Sequence, residues 1–262
     1  MEEKSTTKSV DLFGIAPYGE TVKLFVEKSF DGVSAILSRV CLPATEEFGL
    51  YLKDKVRHWR LKNIIEMVEK ADKKIDFTNN ELTIHPRIMN DFLESGSLCE
   101  KEELQDMWAG LLVASANPAA DETNLLFTNI LKNLTPTQAK MINNVCENCK
   151  VFDYGESNST LVGKKYILLV DELCKLTGID DVYQLHAEMS ILKSNNLFGL
   201  KTGAEANSEP QAIAFYPSLF LLNFYSKTQG YKGDLKNFYR TRLEPYVHDN
   251  IDLLDIYNKA KM

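Results

Sequence analysis

The sequence predicts a mostly α-helical protein with a smaller α+β module in its C-terminal part. Three observations support this fold class. Apolar residues recur at spacings of three and four over long stretches, as they do on one face of a helix. Helix-start signals recur as well, such as Thr135-Pro136-Thr137-Gln138, with a capping threonine followed by proline in the first turn. Finally, two short apolar segments flank a polar loop within residues 197–216, which predicts a β-hairpin.

The composition is that of an ordinary globular protein, and it restricts the function classes. Of the 262 residues, 44% are apolar and 26% are charged, and the net charge is −7. An acidic protein repels phosphate, which disfavours indiscriminate binding to nucleic acid. The first residues lack the apolar core of a signal peptide, and no apolar run reaches the roughly 18 residues that a membrane span needs. We therefore expect a cytoplasmic protein without a transmembrane segment.

The N-terminal part, residues 12–152, is predicted to be a helical domain. Helical periodicity runs from residue 17 to about residue 74, with an interruption at Pro43 and with Trp59 on the apolar face. The letters S-L-C-E from Ser97 onward have capping-box spacing and predict the start of a strong helix. The apolar face of that helix supplies five core candidates, Leu104, Met107, Trp108, Leu111 and Leu112.

The C-terminal part, residues 161–262, is predicted to be the smaller module, after a polar, turn-forming boundary at 153–160. Its predicted elements are a helix over Tyr166–Thr177, a helix over Val182–Asn195, the hairpin and a helix over Ser218–Thr228. This order is typical of a winged-helix module. The helix at 182–195 is predicted to be capped by Asp180 or Asp181, and together with Glu188 these acids make a poor phosphate surface, so contact with protein is favoured over contact with DNA.

No residue pattern predicts a catalytic or metal site. The five cysteines are irregularly spaced, which indicates reduced thiols, and Cys146-x-x-Cys149 is the one paired motif. Structural zinc usually needs a second such pair. The pair also falls at a predicted helix C-terminus, where the helix dipole opposes a thiolate. Nucleophile-elbow and phosphate-loop motifs are missing from the sequence. We therefore expect no catalytic residue, no metal and no cofactor, although a site assembled in space stays open.

Two groups of cations are candidate interaction patches. The first group is Lys53, Lys55, Arg57, Arg60 and Lys62. The second group is Lys232, Lys236, Arg240 and Arg242, interleaved with aromatic residues. For the first group a solvated helix face is the favoured interpretation, ahead of contact with an acidic partner, a nucleic acid or a lipid headgroup. The second group suits stacking against nucleobases and equally suits ordinary protein contacts.

Several motifs follow one another along the chain in a characteristic order. The N-terminal ones are GIAPYGETVKLFVEKSFDG and SRVCLPATEEFGLYLKDKVRHWRLKN. The central ones are LCEKEELQDMWAGLLVASANPA and LLFTNILKNLTPTQAKMINNVCEN, and a further segment begins at DELCKLTGI. Together they resemble the abortive-infection alpha family of bacterial phage-defence proteins, with the last segment giving the weakest likeness. These motifs describe helix packing, so the resemblance carries no catalytic residue. It implies abortive infection, in which an infected cell stops growing or dies before the phage spreads.

Several functions are compatible with these observations. The leading hypothesis is a non-enzymatic interaction protein that acts in anti-phage defence through a protein partner, with self-association as one form of that contact. The alternative is a nucleic-acid-binding regulator that uses the C-terminal winged-helix-like module. A further alternative is a membrane-active effector, because residues 14–52 contain amphipathic faces that could rearrange onto a bilayer. An unrecognised nuclease or hydrolase is the least favoured of the four.

Overall fold

The computed structural model describes residues 58–75, 82–117, 122–153, 161–203 and 211–245. The described α-helices are α1 (His58–Asp72), α2 (Pro86–Glu94), α3 (Glu102–Ser115), α4 (Leu125–Leu131), α5 (Pro136–Asn148), α6 (Val170–Thr177), α7 (Val182–Ser194), α8 (Leu219–Thr228) and α9 (Leu235–Phe238). The described strands are β1 (Val151–Asp153), β2 (Leu161–Gly163), β3 (Tyr166–Leu169), β4 (Phe198–Gly203), β5 (Ala212–Pro217) and β6 (Leu243–Pro245). Short 3₁₀ turns lie at Gly96–Leu98 and Arg240–Arg242.

The chain divides into two compact units. The first contains the described residues up to Asn133 together with Lys227–Lys232, and the second contains Leu134–Ser226 and the described residues from Gly233 onward. Both described sheets lie in the second unit, so the predicted fold class, mostly α with a smaller α+β module, is confirmed. The predicted domain ranges 12–152 and 161–262 stay a prediction, because residues 154–160 between them lie outside the described ranges.

Helix α3 is the central element of the first unit. It is buried along most of its length, and α1, α2 and α4 each pack against it. Trp108 is 1% exposed and meets Phe92 of α2 edge-on, with ring centroids 6.3 Å apart. All five residues predicted as the apolar face of this helix are buried, as the periodicity indicated: Leu104, Met107, Trp108, Leu111 and Leu112.

Residues 227–232 approach α3 closely within the first unit. A Cβ atom on Gly110 would lie 1.6 Å from the carbonyl oxygen of Thr228, so no other residue type fits there without movement of the backbone. Gly230 has a φ of +86° and packs beside Val113. Lys232 Nζ donates a hydrogen bond to the carbonyl oxygen of Ala116, directly after α3.

The second unit contains two small sheets. Strands β3, β5 and β4 form an antiparallel sheet in that order, in which Tyr166 pairs with Phe215 and Phe198 pairs with Pro217. The predicted hairpin is therefore present as β4 and β5. The other sheet has the order β2-β1-β6, with β1 antiparallel to β2 and parallel to β6. Helix α5 begins with the predicted capping box of Thr135 and Gln138.

Three local predictions are wrong. Ser97 does not cap α3, which begins at Glu102, because its hydroxyl donates to the carbonyl oxygen of Leu93 at 2.5 Å instead. Residues 166–169 form strand β3 rather than the first turn of a helix, since they pair with β5. Trp59 was expected on the buried face of α1, but it is 40% exposed. Helix α6 ends at Thr177, as predicted. Helix α7 begins at Val182, as predicted, with Asp181 as its N-cap, and it ends at Ser194, one residue before the predicted end at Asn195.

Replacing Trp108 with alanine should destabilise the protein by about 3–5 kcal/mol, because it leaves a large cavity against α3. Trp59→Ala is the matched control, since its half-exposed ring should cost about 1 kcal/mol or less. Urea unfolding followed by far-UV circular dichroism measures both. Equal midpoints for the two variants would contradict the burial of Trp108.

Candidate interaction surfaces

The first predicted cation patch is only partly described. Lys53, Lys55 and Arg57 lie outside the described residues. Arg60 Nε donates to Ser97 Oγ at 2.8 Å, and its Nη2 donates to the carbonyl oxygens of Leu93 at 3.0 Å and Glu94 at 3.2 Å. Arg60 therefore holds the C-terminal end of α2 and is not available as a free surface cation.

Lys62 remains on the surface of α1. Its Nζ lies 3.5 Å from Glu66 Oε1, one helical turn further on. Both side chains are well exposed, so this pair contributes at most about 0.5 kcal/mol to stability. Of the described members of the first patch, Lys62 is the one that keeps its charge in solvent.

The second predicted patch is divided between the two units. Lys232 belongs to the first unit, where it donates to the Ala116 carbonyl oxygen. Lys236 Nζ lies 2.6 Å from Asp153 Oδ2, which ties α9 to the end of β1. Both lysines therefore make intramolecular contacts in the described chain, and burial lowers the pKa of Lys232.

Arg242 caps the C-terminus of α5. Its Nη1 donates to the carbonyl oxygens of Cys146 and Glu147, the latter at 2.8 Å, and its guanidinium stacks 4.8 Å from the ring centre of Tyr239. A cation at this end of a helix is favourable, since the helix dipole is negative there. Arg240 is exposed. The second patch thus contains structural side chains as well as surface cations.

Cys146 and Cys149 lie at the C-terminal end of α5, as predicted, and both are buried. Burial raises the pKa of the Cys149 thiol to about 11. Burial also raises the pKa of Cys146, and the neighbouring Cys149 raises it further. Both thiols are therefore protonated near neutral pH, and a protonated thiol is a poor nucleophile and a poor metal ligand.

Helix α7 has one buried face and one exposed face. Leu185, Met189 and Leu192 are buried. On the other side, Tyr183 is 85% exposed and Ile191 is 45% exposed, and Ala187 between them is also exposed. Positions 183, 187 and 191 are spaced by four, so they form one row along the helix. We call these three residues the α7 stripe.

The acids near α7 do not all lie on this outward side. Glu188 Oε2 accepts a hydrogen bond from Thr135 Oγ1 at 2.9 Å, which turns the carboxylate towards the start of α5. Asp181 Oδ1 accepts from the backbone N–H of Tyr183 at 2.9 Å as the N-cap. Asp180 is exposed. The α7 stripe itself is uncharged.

The α7 stripe is not apparent from the residue pattern alone. Apolar residues at helical spacing ordinarily predict a buried face, and α7 has two such rows, one through Tyr183 and Ile191 and one through Leu185 and Leu192. Periodicity alone does not say which row faces solvent. Tyr183 is the residue that could have distinguished the exposed row from the buried one. Its hydroxyl needs a hydrogen-bond partner and finds one in water, whereas leucine has no polar group to keep in solvent.

Two other kinds of feature are absent from the described part of the chain. None of the helices in the described ranges is long and apolar enough to cross a lipid bilayer. Among the same residues, no group of three histidines, cysteines or carboxylates is arranged to hold a metal ion.

The comparison with protein families agrees with the resemblance seen in the sequence. The family model named abortive infection alpha matches residues 60–238, which is more than half of the chain. The chain belongs to the abortive infection alpha family. The match covers both units, including α7 and the β4–β5 hairpin. No curated protein and no solved structure matches the chain.

The buried thiols should resist alkylation in the native protein. At about pH 8, Cys146 and Cys149 should react with iodoacetamide at least about tenfold more slowly than Cys174, which is partly exposed. Mass spectrometry of the individual peptides measures each rate. Labelling in urea is the control, since unfolding should make the rates similar. Equal rates in the native protein would contradict the burial of the pair.

Proposed function

We propose that this member of the abortive infection alpha family acts in the cytosol as a non-enzymatic interaction protein, and that it binds a partner protein through the α7 stripe. The family match supports a role in abortive infection. The proposed mechanism rests on one observation. Tyr183 and Ile191 are exposed on one row of a helix whose opposite side is buried. The low reactivity expected of the buried thiols argues against Cys146 or Cys149 as a nucleophile.

The chemistry of the α7 stripe suits a protein groove. Large apolar side chains gain about 25 cal/mol for each Å² that a partner covers, and tyrosine is among the residues enriched at interface hot spots. Leu185 and Met189 anchor the inner face of α7, so Tyr183 is presented from a rigid helix and little ordering entropy is lost on binding. A groove that accepts residues spaced by four along a helix is a recurrent mode of protein recognition.

The double substitution Tyr183→Ser with Ile191→Ser should abolish phage protection without unfolding the protein. Removal of such a hot spot typically costs about 2 kcal/mol or more of binding free energy, which is about a 30-fold loss of affinity. Cells that express wild-type or variant protein are challenged with phage at low and high multiplicity of infection. The wild type should protect at low multiplicity and let the culture collapse at high multiplicity.

Leu126→Ser is the matched control, because Leu126 is 44% exposed on α4 in the first unit and lies outside the stripe. This variant should protect like the wild type. Far-UV circular dichroism and protein level in the cell check that all variants fold and accumulate. Full protection by the Tyr183 and Ile191 double variant would rule out the stripe as the contact surface.

A nucleic-acid-binding regulator is the second candidate, and a specific observation favours it. The second unit contains α5, β3, α6, α7, β4 and β5 in this order, with β1 and β2 between α5 and β3, and its antiparallel sheet has the order β3-β5-β4. This order resembles that of a winged-helix module, in which α7 would be the helix that enters the major groove. The inward turn of Glu188 also removes one acid from that helix face.

A gel shift with generic duplex DNA at about 50 mM salt separates the two candidates, because phosphate contacts are strongest at low salt. We expect no shift, since Lys193 is the one lysine or arginine on α7 and Asp180 and Asp181 flank its N-terminus. A shift that disappears in a Lys193→Glu variant would instead support the nucleic-acid-binding regulator. It would assign DNA binding, and not protein binding, to α7.

A further inference from the structure

A polar groove of about 450 Å³ lies between α2 and α4 in the first unit. Its walls include Arg87, Asn90 and Asp91 of α2, and Leu125, Asn129 and Lys132 on or directly after α4. The size is within the range of ligand-binding pockets in proteins, which is about 300–1,000 Å³. The groove is formed entirely within one unit, and it is separate from the α7 stripe.

The charges on the groove are neutralised within the protein. Arg87 Nη1 donates to Glu122 Oε2 at 3.1 Å. At the other end, Lys132 Nζ lies 2.5 Å from Asp91 Oδ1, and Thr128 Oγ1 donates to Asp91 Oδ2 at 2.6 Å. The side chains of Asp91 and Lys132 are 14% and 28% exposed, so water screens this pair only partly. The charges of Arg87, Glu122, Asp91 and Lys132 sum to zero, and the groove therefore favours a neutral, polar ligand over an ion.

Two carboxamides add uncharged hydrogen-bonding groups to the groove. Asn90 and Asn129 are exposed, one on each helix, and among the described residues neither side-chain amide has a hydrogen-bond partner. An asparagine amide offers two N–H donors and a carbonyl acceptor side by side. A peptide group offers the complementary N–H and C=O, so one carboxamide can bind one peptide group through two hydrogen bonds.

We propose that this groove binds an extended polypeptide segment of a partner protein through its main chain, with Asn90 and Asn129 pairing with its peptide groups. The ion pairs of Arg87 and Asp91 leave the groove without net charge, and Leu125 supplies an apolar contact for one side chain. The site goes beyond the proposed function, because it lies in the other unit and reads main chain rather than an apolar surface.

The test uses the full-length ¹⁵N-labelled protein and acetyl-tetra-alanine amide, a peptide that carries main-chain groups and little else. Side-chain amide signals of Asn90 and Asn129 are assigned by their loss in Asn90→Asp and Asn129→Asp. We expect both signals to shift saturably with a dissociation constant of about 1–10 mM. The amide of Asn148, which donates to the carbonyl oxygen of Asn144 at 2.8 Å in the second unit, is the internal control and should not shift.

The same peptide with N-methylated main-chain nitrogens is the second probe, because it lacks the N–H donors and keeps the methyl side chains. We expect at least a tenfold weaker effect on both asparagine signals. The proposal is overturned if neither signal moves at about 10 mM peptide. It is equally overturned if the N-methylated peptide or acetamide shifts both signals as strongly, since the groove would then bind small amides without reading an extended main chain.

Discussion

Helix α3 lies against the main chain of residues 227–232 only because residue 110 has no side chain. The space that a Cβ on Gly110 would occupy already holds the carbonyl oxygen of Thr228, 1.6 Å away. This contact lets α3 be covered on the side that α1, α2 and α4 leave open, and it explains why nearly every residue of α3 is buried. A side chain at residue 110 would hold the two segments apart, so the glycine is what permits this close packing.

The second unit fixes α7 by a different means. The Thr135 hydroxyl accepts from the N–H of Gln138 and donates to Glu188, so one side chain both starts α5 and attaches α7 to it. Leu185 and Leu192 then face the core. Because helical geometry turns through 100° per residue, anchoring this side leaves the row through Tyr183 facing solvent. The exposed stripe is thus a consequence of how α7 is held.

Elements whose signals are local in the sequence are predicted correctly. Predictions fail for segments whose conformation depends on contacts with residues far away in the sequence. The capping box at Thr135 depends on residues three apart, and it is present. Ser97 has the same local spacing, but Arg60 and the Leu93 carbonyl oxygen bind its hydroxyl, so α3 begins later. Residues 166–169 are apolar enough for a helix, yet pairing with β5 makes them a strand. The α7 stripe could not be assigned from periodicity, because two rows of α7 are apolar.

The electrostatics of α7 give the two candidate partners different salt dependences. DNA binding releases counterions in proportion to the phosphates that cations neutralise, and α7 carries a single such cation, Lys193. Glu188 is drawn inward, but Asp180 and the capping carboxylate of Asp181 stay at the end that would enter a groove. A partner that binds Tyr183 and Ile191 instead covers uncharged surface. Salt does not screen the binding free energy that comes from burying such surface. Binding through Tyr183 and Ile191 should therefore change little with ionic strength, whereas DNA binding through Lys193 should weaken as the salt concentration rises.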